Sequence, residues 1–364
     1  MSHDVAVEVV APGSPAADRW LRLPAECYPD ARFRGGLPRD EPALVAGTHL
    51  LSPEFEFVPL LATAGGQAQA RCGVTLYGSE ATAYLGLFEC LDRAAAPALF
   101  EAARALARER GAARLVGPVD ASFWLGYRMK LDHFDSAPYF GEPYNQSHYP
   151  ELWSEAGFQI TERYSSTIYS PMSLADLAAT GWDSAALDQL AAKLGVTVRP
   201  LRRREFDWAA GQIFELVMAR YVGLPEFRPL PRERFLGLFG SLRLVLDYEA
   251  SMIGLVDDQI VGFITSTPDY GRALDATGVG AALRQGLALA RHRPRSRRSI
   301  CHYMAAASGY RGLGPVLADA RGRVIQRRGT SAIGSLIHES VPTSGYQAGA
   351  ITEVHNYALW AAEL

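Results

Sequence analysis

Apolar positions in the first half of the chain alternate between strand-like and helix-like patterns. Short apolar runs predict strands, and the run over 94–110 has the spacing of an amphipathic helix that ends at Gly111. Ala64-Gly65-Gly66 is typical of a hairpin turn. The Pro- and Arg-rich stretch that follows the first strand, up to about Leu51, predicts loops. The predicted strands are 5–10, 57–62, 68–77, 81–90, 114–119 and 158–169, with a second helix at 148–156.

The second half repeats this order of elements. Helices are predicted at 184–194, 206–222, 232–242 and 315–328, and strands at 196–201, 250–256, 260–267, 299–307, 331–338 and 354–360. A chain of 364 residues is long enough for two ordinary domains. We therefore predict an α/β (α+β) fold with two similar domains, residues 1–183 and 184–364, each a mixed, mostly antiparallel sheet flanked by helices.

Composition narrows the functional class. Hydrophobic residues make up 48% of the chain, charged residues 21%, and the net charge is -3. This balance is typical of a soluble globular protein and provides no basic field for DNA or anionic lipid. The N-terminal residues lack the pattern of a secretory signal, and no apolar run reaches 18 residues, so we expect a cytoplasmic protein without a membrane span. The four cysteines are scattered, which predicts reduced thiols and no metal site.

The segment with the clearest chemistry runs from 305 to 316. An apolar strand leads into a glycine-containing turn, and the turn leads into a helix. Glycines let backbone N–H groups approach a phosphate, and a helix N-terminus adds unpaired donors and partial positive charge. Pro315 suits the first helical turn, although a plain strand–turn–helix connection explains the glycines equally well. The candidate binding residues are Ala305, Ala307, Arg311, Gly312, Leu313, Gly314, Pro315 and Val316.

This segment resembles the pyrophosphate-binding loop of the GNAT-like (Gcn5-related) N-acyltransferases, whose pattern is Arg/Gln-x-x-Gly-x-Gly/Ala. Arg311 and Gly314 match the first two fixed positions, whereas Val316 stands where the family prefers Gly or Ala. The small residues 305–307 look like the family strand that pairs with the pantetheine arm. The resemblance implies that the C-terminal half binds acetyl-CoA or another acyl-CoA as a co-substrate, without a metal.

Further pieces extend the resemblance over nearly the whole chain, to a bacterial subfamily with two GNAT-like domains in tandem. It implies an acyl-CoA-dependent N-acyltransferase acting on a small-molecule amine. In the first half, the turn after the strand ending at Cys90 has no glycine and carries Asp92. We therefore expect the first domain to be degenerate for CoA, with Asp92 capping a helix. The matching pieces are 85–89, 117–119, 138–149, 155–158, 225–230, 261–263 and 267–269.

Acyl transfer to an amine needs a base for the amine and an acid for the leaving thiolate. By resemblance, the strand 331–338 and the helix start that follows it would carry these groups. Tyr346 is the candidate acid, and Glu339 or His338 the candidate base. Ser340 stands near a position where many members have Asn, and it is a candidate cofactor contact. Ordinary packing or solvent exposure would explain each of these side chains as well.

The acceptor side is less defined. Asp269, which follows a strand, would bind a cationic acceptor or cap a turn. A polar, aromatic group in the first half could line an acceptor pocket, and it consists of His133, Tyr144, Asn145 and His148. The basic run 291–298 would meet the CoA 3′-phosphate, an anionic partner or solvent.

Two alternatives remain. Other proteins with tandem GNAT-like domains take the acyl group from an aminoacyl-tRNA, and the basic run would then contact RNA. A non-catalytic binding protein that kept the fold is the other alternative, because fold does not fix function.

Overall fold

The computed structural model describes residues 5–33, 40–78, 80–171, 178–179, 181–274, 281–292 and 296–364. The chain divides into two compact units. The first comprises residues up to Arg163 together with Asn356–Leu364, and the second comprises Tyr164–His355. The predicted boundary after residue 183 therefore lies within the second unit. The end of the chain, which the sequence pattern assigns to the second half, completes the first unit.

The first unit contains a mostly antiparallel sheet with the strand order β1-β2-β3-β4-β5-β13, and β6 also pairs with β13. β4 and β5 run parallel, and helix α3 connects them. The elements are β1 (Val5–Val9), α1 (Pro15–Cys27), α2 (Glu41–Val45), β2 (Glu56–Ala64), β3 (Gln67–Leu76), β4 (Thr82–Cys90), α3 (Ala96–Glu109), β5 (Arg114–Gly117), β6 (Met129–Lys130), α4 (Tyr149–Glu155), β7 (Gln159–Tyr169), which continues into the second unit, and β13 (Ile351–Glu363).

The prediction of loops up to Leu51 is wrong, because this stretch holds helix α1. The Ser14 hydroxyl caps the helix by accepting from the Ala17 N–H at 3.2 Å, and Pro15 occupies the first turn. Trp20 is fully buried, and its indole N–H lies 3.1 Å from two strand carbonyl oxygens. The amphipathic face consists of Ala16, Ala17, Trp20, Leu23 and Cys27. Pro15 and Pro24 made the sequence pattern of this segment look like a loop, although Pro15 lies in the first turn of the helix.

Helix α3 fills the core of the first unit and confirms the helix predicted at 94–110. Its buried face packs Phe100 against Phe88, Trp153 and Phe158. As expected, the Asp92 carboxylate is a cap, because it accepts from the Ala94 N–H at 3.0 Å at the turn before the helix.

The second unit has the strand order β7-β12-β11-β10-β9-β8. β11 and β12 are parallel and α10 connects them, while the other neighbouring pairs are antiparallel. Asp257 and Asp258, both with positive φ, form the predicted turn between β9 and β10. The elements are α5 (Ser184–Lys193), β8 (Thr197–Pro200), α6 (Phe206–Arg220), α7 (Arg232–Phe239), α8 (Leu242–Val245), β9 (Met252–Val256), β10 (Gln259–Pro268), α9 (Ala281–His292), β11 (Arg298–Ala306), α10 (Leu313–Arg328) and β12 (Ser331–His338).

Two strand glycines bring the start of α10 close to the sheet. A Cβ at Gly262 would lie 2.7 Å from a methyl carbon of Leu313, and one at Gly254 would also contact this side chain. Leu313 is fully buried there, a contribution of roughly 1.5–3 kcal/mol. This packing fixes the N-terminus of α10 over the sheet. None of the helices within the described residues is long and apolar enough to cross a membrane.

Candidate functional site

The second unit has a fork between two parallel strands. β11 and β12 pair only as far as Cys301 and Gly334. Beyond this point β11 follows β10 to Ala306, while β12 bulges and follows β7 to His338. The Ser335 hydroxyl donates to the Cys301 carbonyl oxygen at 2.7 Å, at the vertex of the fork. Strand edges that part in this way leave backbone groups available to an extended ligand.

The predicted glycine loop lies at the open end of this fork. The Ala307 N–H donates to the Val261 carbonyl oxygen at 2.8 Å, which anchors the start of the loop to β10. Gly312 then takes a φ of 91°, a left-handed conformation that favours glycine, and α10 begins at the next residue. The loop therefore ends on a helix N-terminus, where an anion is stabilised by free N–H groups and the helix dipole.

Side chains of the loop point in different directions. Leu313 and Val316 are buried in the core of the second unit, whereas Arg311 is exposed. The branched side chain of Val316 therefore packs among core residues. Pro315 has no N–H and removes one donor from the first turn of the helix.

Tyr346 lies directly against the helix N-terminus. A Cβ at Gly314 would stand 2.6 Å from the Tyr346 hydroxyl oxygen, so glycine is needed for this contact. Burial raises the pKa of Tyr346, which keeps the phenol protonated and able to donate at neutral pH. The Tyr169 hydroxyl donates to the Tyr346 carbonyl oxygen at 3.0 Å and holds the backbone in place. The segment around Tyr346 consists of two 3-10 turns, Pro342–Gly345 and Ala348–Ala350, in place of the helix start that the resemblance implies.

The two candidate bases differ in their surroundings. His338 is buried at the end of β12 and packs edge-on against Tyr164. Its Nδ1 lies 2.6 Å from the Ser340 hydroxyl and accepts from the Ser340 N–H at 3.2 Å. Ser340 therefore orients this imidazole. Glu339 is exposed on the neighbouring turn.

Asp269 is engaged within the fold. Its Oδ1 accepts from the Gly271 N–H at 2.9 Å, and Oδ2 lies 3.6 Å from Nε of Arg298. Arg298 is the last residue of the basic run, of which residues 293–295 lie outside the described residues. An acceptor cation would therefore share the Asp269 carboxylate with a turn N–H and an arginine.

The remaining acceptor candidates belong to the first unit. The Tyr144 hydroxyl donates to the Phe134 carbonyl oxygen at 2.6 Å. The Asn145 side chain accepts from the Lys130 N–H at 2.7 Å and donates back to the Lys130 carbonyl oxygen at 3.3 Å. His148 stacks edge-on against Tyr149, next to the start of α4. These contacts stabilise local backbone within the first unit.

In the first unit, β4 and β5 are the parallel pair that corresponds to β11 and β12, and the chain after β5 fills the space beside β4. After β5 the chain turns back onto β4, where the Val119 N–H donates to the Leu85 carbonyl oxygen at 2.9 Å. The Asp120 carboxylate accepts from the Leu87 N–H at 2.7 Å. A Cβ at Gly86 would lie 1.9 Å from the Val119 carbonyl oxygen, so the two segments are in tight contact. The chain itself thus occupies this side of β4.

Glu89 is a buried carboxyl group with a raised pKa, which the sequence pattern does not indicate. The Tyr149 hydroxyl donates to its Oε2 at 2.9 Å, and burial raises the pKa of Glu89 to about 7 in spite of the positive charge of Arg71. The residue falls within the conspicuous piece 85–89. Its hydrogen-bond donor Tyr149 is distant from it in sequence, so no local pattern indicates this environment.

Comparisons with known proteins find similarity in fold but no match in sequence. No protein-family model and no curated protein match the chain. A tandem GNAT protein from the clavulanic acid biosynthesis pathway, solved without acetyl-CoA, aligns with a TM-score of 0.54 and 14% identity over 99% of this chain and 98% of its own. A GCN5-related glucosamine N-acetyltransferase region in a fungal multi-domain GH3 β-N-acetylglucosaminidase aligns with a TM-score of 0.55 and 12% identity, over 100% of this chain and 38% of that chain. A GCN5-related N-acetyltransferase from Sphaerobacter thermophilus aligns over 99% of this chain and 95% of its own, with 15% identity and a TM-score of 0.49.

These identities are low and the shared feature is the fold. The order of strands and helices agrees with the sequence-based prediction of a mixed, mostly antiparallel sheet flanked by helices in each half. The chain has the fold of the tandem GNAT-type N-acetyltransferases.

Proposed function

We propose that this protein is an N-acyltransferase that transfers an acetyl group, or another acyl group, from acyl-CoA to a small-molecule amine. The observation that carries the proposal is the open fork between β11 and β12 with a glycine loop and a helix N-terminus at its mouth. The proposal places acyl-CoA binding in the second unit alone, because the chain fills the corresponding side of β4 in the first.

In this proposal the start of α10 binds the pyrophosphate. Gly312 and Gly314 let the anion approach backbone N–H groups, and exposed Arg311 adds a positive charge. The burial of Val316 in the core supports the fit, since its methyl groups leave the loop surface clear. The edge of β11 at Ala305 and Ala306 would pair with the amide-containing arm of the substrate, whereas the backbone groups of Ala307 are bonded to Val261 and Tyr310.

Chemistry then requires two proton transfers. The amine nitrogen attacks the thioester carbonyl carbon, a C–N bond forms, the C–S bond breaks, and the thiolate leaves. Tyr346, whose phenol is kept protonated by burial, would donate the proton that the thiolate takes. His338, oriented by Ser340, or Glu339 through a water molecule, would accept the proton that the amine loses.

Asp269 is not part of the proposed acceptor site, because it follows Pro268, which pairs with Ser299 at the end of β10 away from the glycine loop, and its carboxylate is shared with the Gly271 N–H and Arg298. Tyr144, Asn145 and His148 are left out, because the polar groups of the first two bond to backbone and the third packs beside α4.

The test is calorimetric titration of acetyl-CoA into the wild-type protein and into Gly314→Glu, which places a carboxylate at the helix N-terminus. We expect micromolar binding by the wild type and its loss in the variant, because the new charge repels the pyrophosphate and the new side chain displaces the Tyr346 hydroxyl from the helix N-terminus. Arg327→Gln is the matched control. It changes the net charge by the same amount at the exposed C-terminal end of the same helix and should preserve binding.

A second variant tests the acid. Tyr346→Phe should keep acetyl-CoA binding and lower kcat on any amine that is turned over, by roughly 10²- to 10⁴-fold. No acetyl-CoA binding by the folded wild type would reject the proposal and direct attention to aminoacyl-tRNA. Binding that survives Gly314→Glu would reject the site.

A further inference from the structure

A cavity separates the inner face of α10 from the sheet of the second unit. Its volume is about 90 Å³, which is room for several water molecules. It extends from Tyr346 to Thr330, at the start of β12. Most of its wall is apolar, and its apolar side chains include Ile264, Met304, Ile325 and Ile337.

One wall of this cavity carries a buried cation. Arg321, on α10, is 8% exposed and lines the cavity. Its Nε donates to the Ser266 hydroxyl at 2.7 Å, and Nη2 donates to the carbonyl and hydroxyl oxygens of Ser299 at 2.9 and 3.2 Å. All three acceptors are neutral. Nη1 has no hydrogen-bond partner among the described residues.

No carboxylate among the described residues lies within ion-pair distance of Arg321. The Asp247 carboxylate pairs with Arg328, and it affects the pKa of Arg321 only through a longer-range electrostatic interaction. Burial lowers the pKa of Arg321, which reflects the cost of holding its charge away from water.

Two other buried cations of the chain are neutralised. Arg71 pairs with Glu41 at 2.7 Å, and Lys130 pairs with Glu142. Isolated buried charges are costly, and folds pair them for this reason. Arg321 differs because its charge faces a cavity instead of a carboxylate. An anion of matching size in this cavity would complete the same arrangement.

We propose that this cavity binds a carboxylate on a short aliphatic chain, with Arg321 pairing with the carboxylate and the apolar wall holding the chain. Nη1, the guanidinium nitrogen not engaged by Ser266 or Ser299, would donate a charge-assisted hydrogen bond to a carboxylate oxygen of the ligand. Ile264, Ile325 and Ile337 suit methylene groups and offer nothing to a highly hydrated anion such as phosphate.

The carboxylate has two possible sources. It is either a free short-chain acid or the terminal carboxylate of a dicarboxylic acyl group carried as a thioester. The second source rests on the proposed function, since Tyr346 lines the cavity and also contacts Gly314 at the helix N-terminus. The first source does not.

The experiment is calorimetric titration of the full-length protein with butyrate and, as an uncharged control of equal size, butyramide. We expect butyrate to bind at least tenfold more tightly than butyramide. Arg321→Met should abolish this preference. Gly322→Leu should abolish binding of both, because its side chain would enter the cavity. A Cβ at Gly322 has only the Gln347 side-chain nitrogen near it, at 3.4 Å, and replacement of a helical glycine favours the helix. This second variant retains Arg321 and tests the cavity even if Arg321→Met fails to fold.

A parallel titration compares succinyl-CoA with acetyl-CoA. If the carboxylate arrives on the acyl group, succinyl-CoA binds at least tenfold more tightly, and Arg321→Met removes the difference. If the source is free acid, butyrate binding depends on Arg321 while the two thioesters do not differ. Binding of butyrate without any binding of acetyl-CoA would reject the proposed function and keep this inference. Equal binding of butyrate and butyramide, together with no effect of Arg321→Met on succinyl-CoA, would overturn it.

Discussion

Replacement of Glu89 by glutamine should remove a large pH dependence from the stability of the first unit. In the folded chain, burial raises the pKa of Glu89 from 4.5 to about 7, while the positive charge of Arg71 and the hydrogen bond from the Tyr149 hydroxyl oppose the shift. The folded state therefore retains a proton that the unfolded state loses. The associated stability is fully present below about pH 4.5 and is lost as pH rises through about 7.

The shift sets the magnitude. At about 1.4 kcal/mol per pKa unit, the free energy of unfolding falls by roughly 2–3 kcal/mol between pH 5 and pH 8 through this group alone. Glu89→Gln keeps the shape of the side chain and an acceptor for the Tyr149 hydroxyl, but it cannot ionise. Its free energy of unfolding should therefore not show the part of the decrease with pH that comes from residue 89. At pH 8 the variant should therefore be more stable than the wild type by up to roughly 3 kcal/mol.

Hydrogen exchange of the amides in β4 and α3 measures stability in the first unit separately and avoids assuming that both units unfold together. Glu155→Gln, which removes an exposed carboxylate on α4 of the same unit, is the control and should follow the wild-type pH dependence. A carbon-13 titration of the Glu89 carboxyl gives its midpoint directly. A midpoint near 4.5, or the same pH dependence in Glu89→Gln and the wild type, would refute the reasoning.

Two further changes test the packing of the first unit. Lys130→Met should destabilise it by about 3–5 kcal/mol in urea unfolding, because it removes the cation that pairs with the buried Glu142 carboxylate. Adding Glu142→Gln should recover part of this loss, and a loss below about 1 kcal/mol would contradict the buried pair. Gly86→Ala should lower the free energy of unfolding by more than about 3 kcal/mol or prevent folding, because its Cβ would overlap the Val119 carbonyl oxygen. Gly223→Ala is the control in the same thermal unfolding assay and should be nearly neutral, because the space around Gly223 is open.

Much of the local structure follows from the sequence pattern. The strands β2 to β4, helix α3, the β9–β10 turn and the strand–loop–helix at 305–328 lie close to their predicted positions, because period and turn chemistry act over a few residues. Helix α1 was missed, because its two prolines suggested a loop while its buried spacing depends on the sheet beneath it. The glycine loop was identified as a candidate anion site from its residue types alone.

The sequence by itself determined the alternation of elements, the glycine turn before α10 and the absence of a basic field, all of which are local or summed properties. Only the tertiary structure decided that β11 and β12 part after Cys301, that Val316 points into the core, and that Tyr346 meets Gly314. It also decided that Arg321 is buried beside a cavity without a carboxylate. Each of these depends on which distant segments pack together, and the energy of a buried charge or a close backbone contact is set by neighbours that no local pattern specifies.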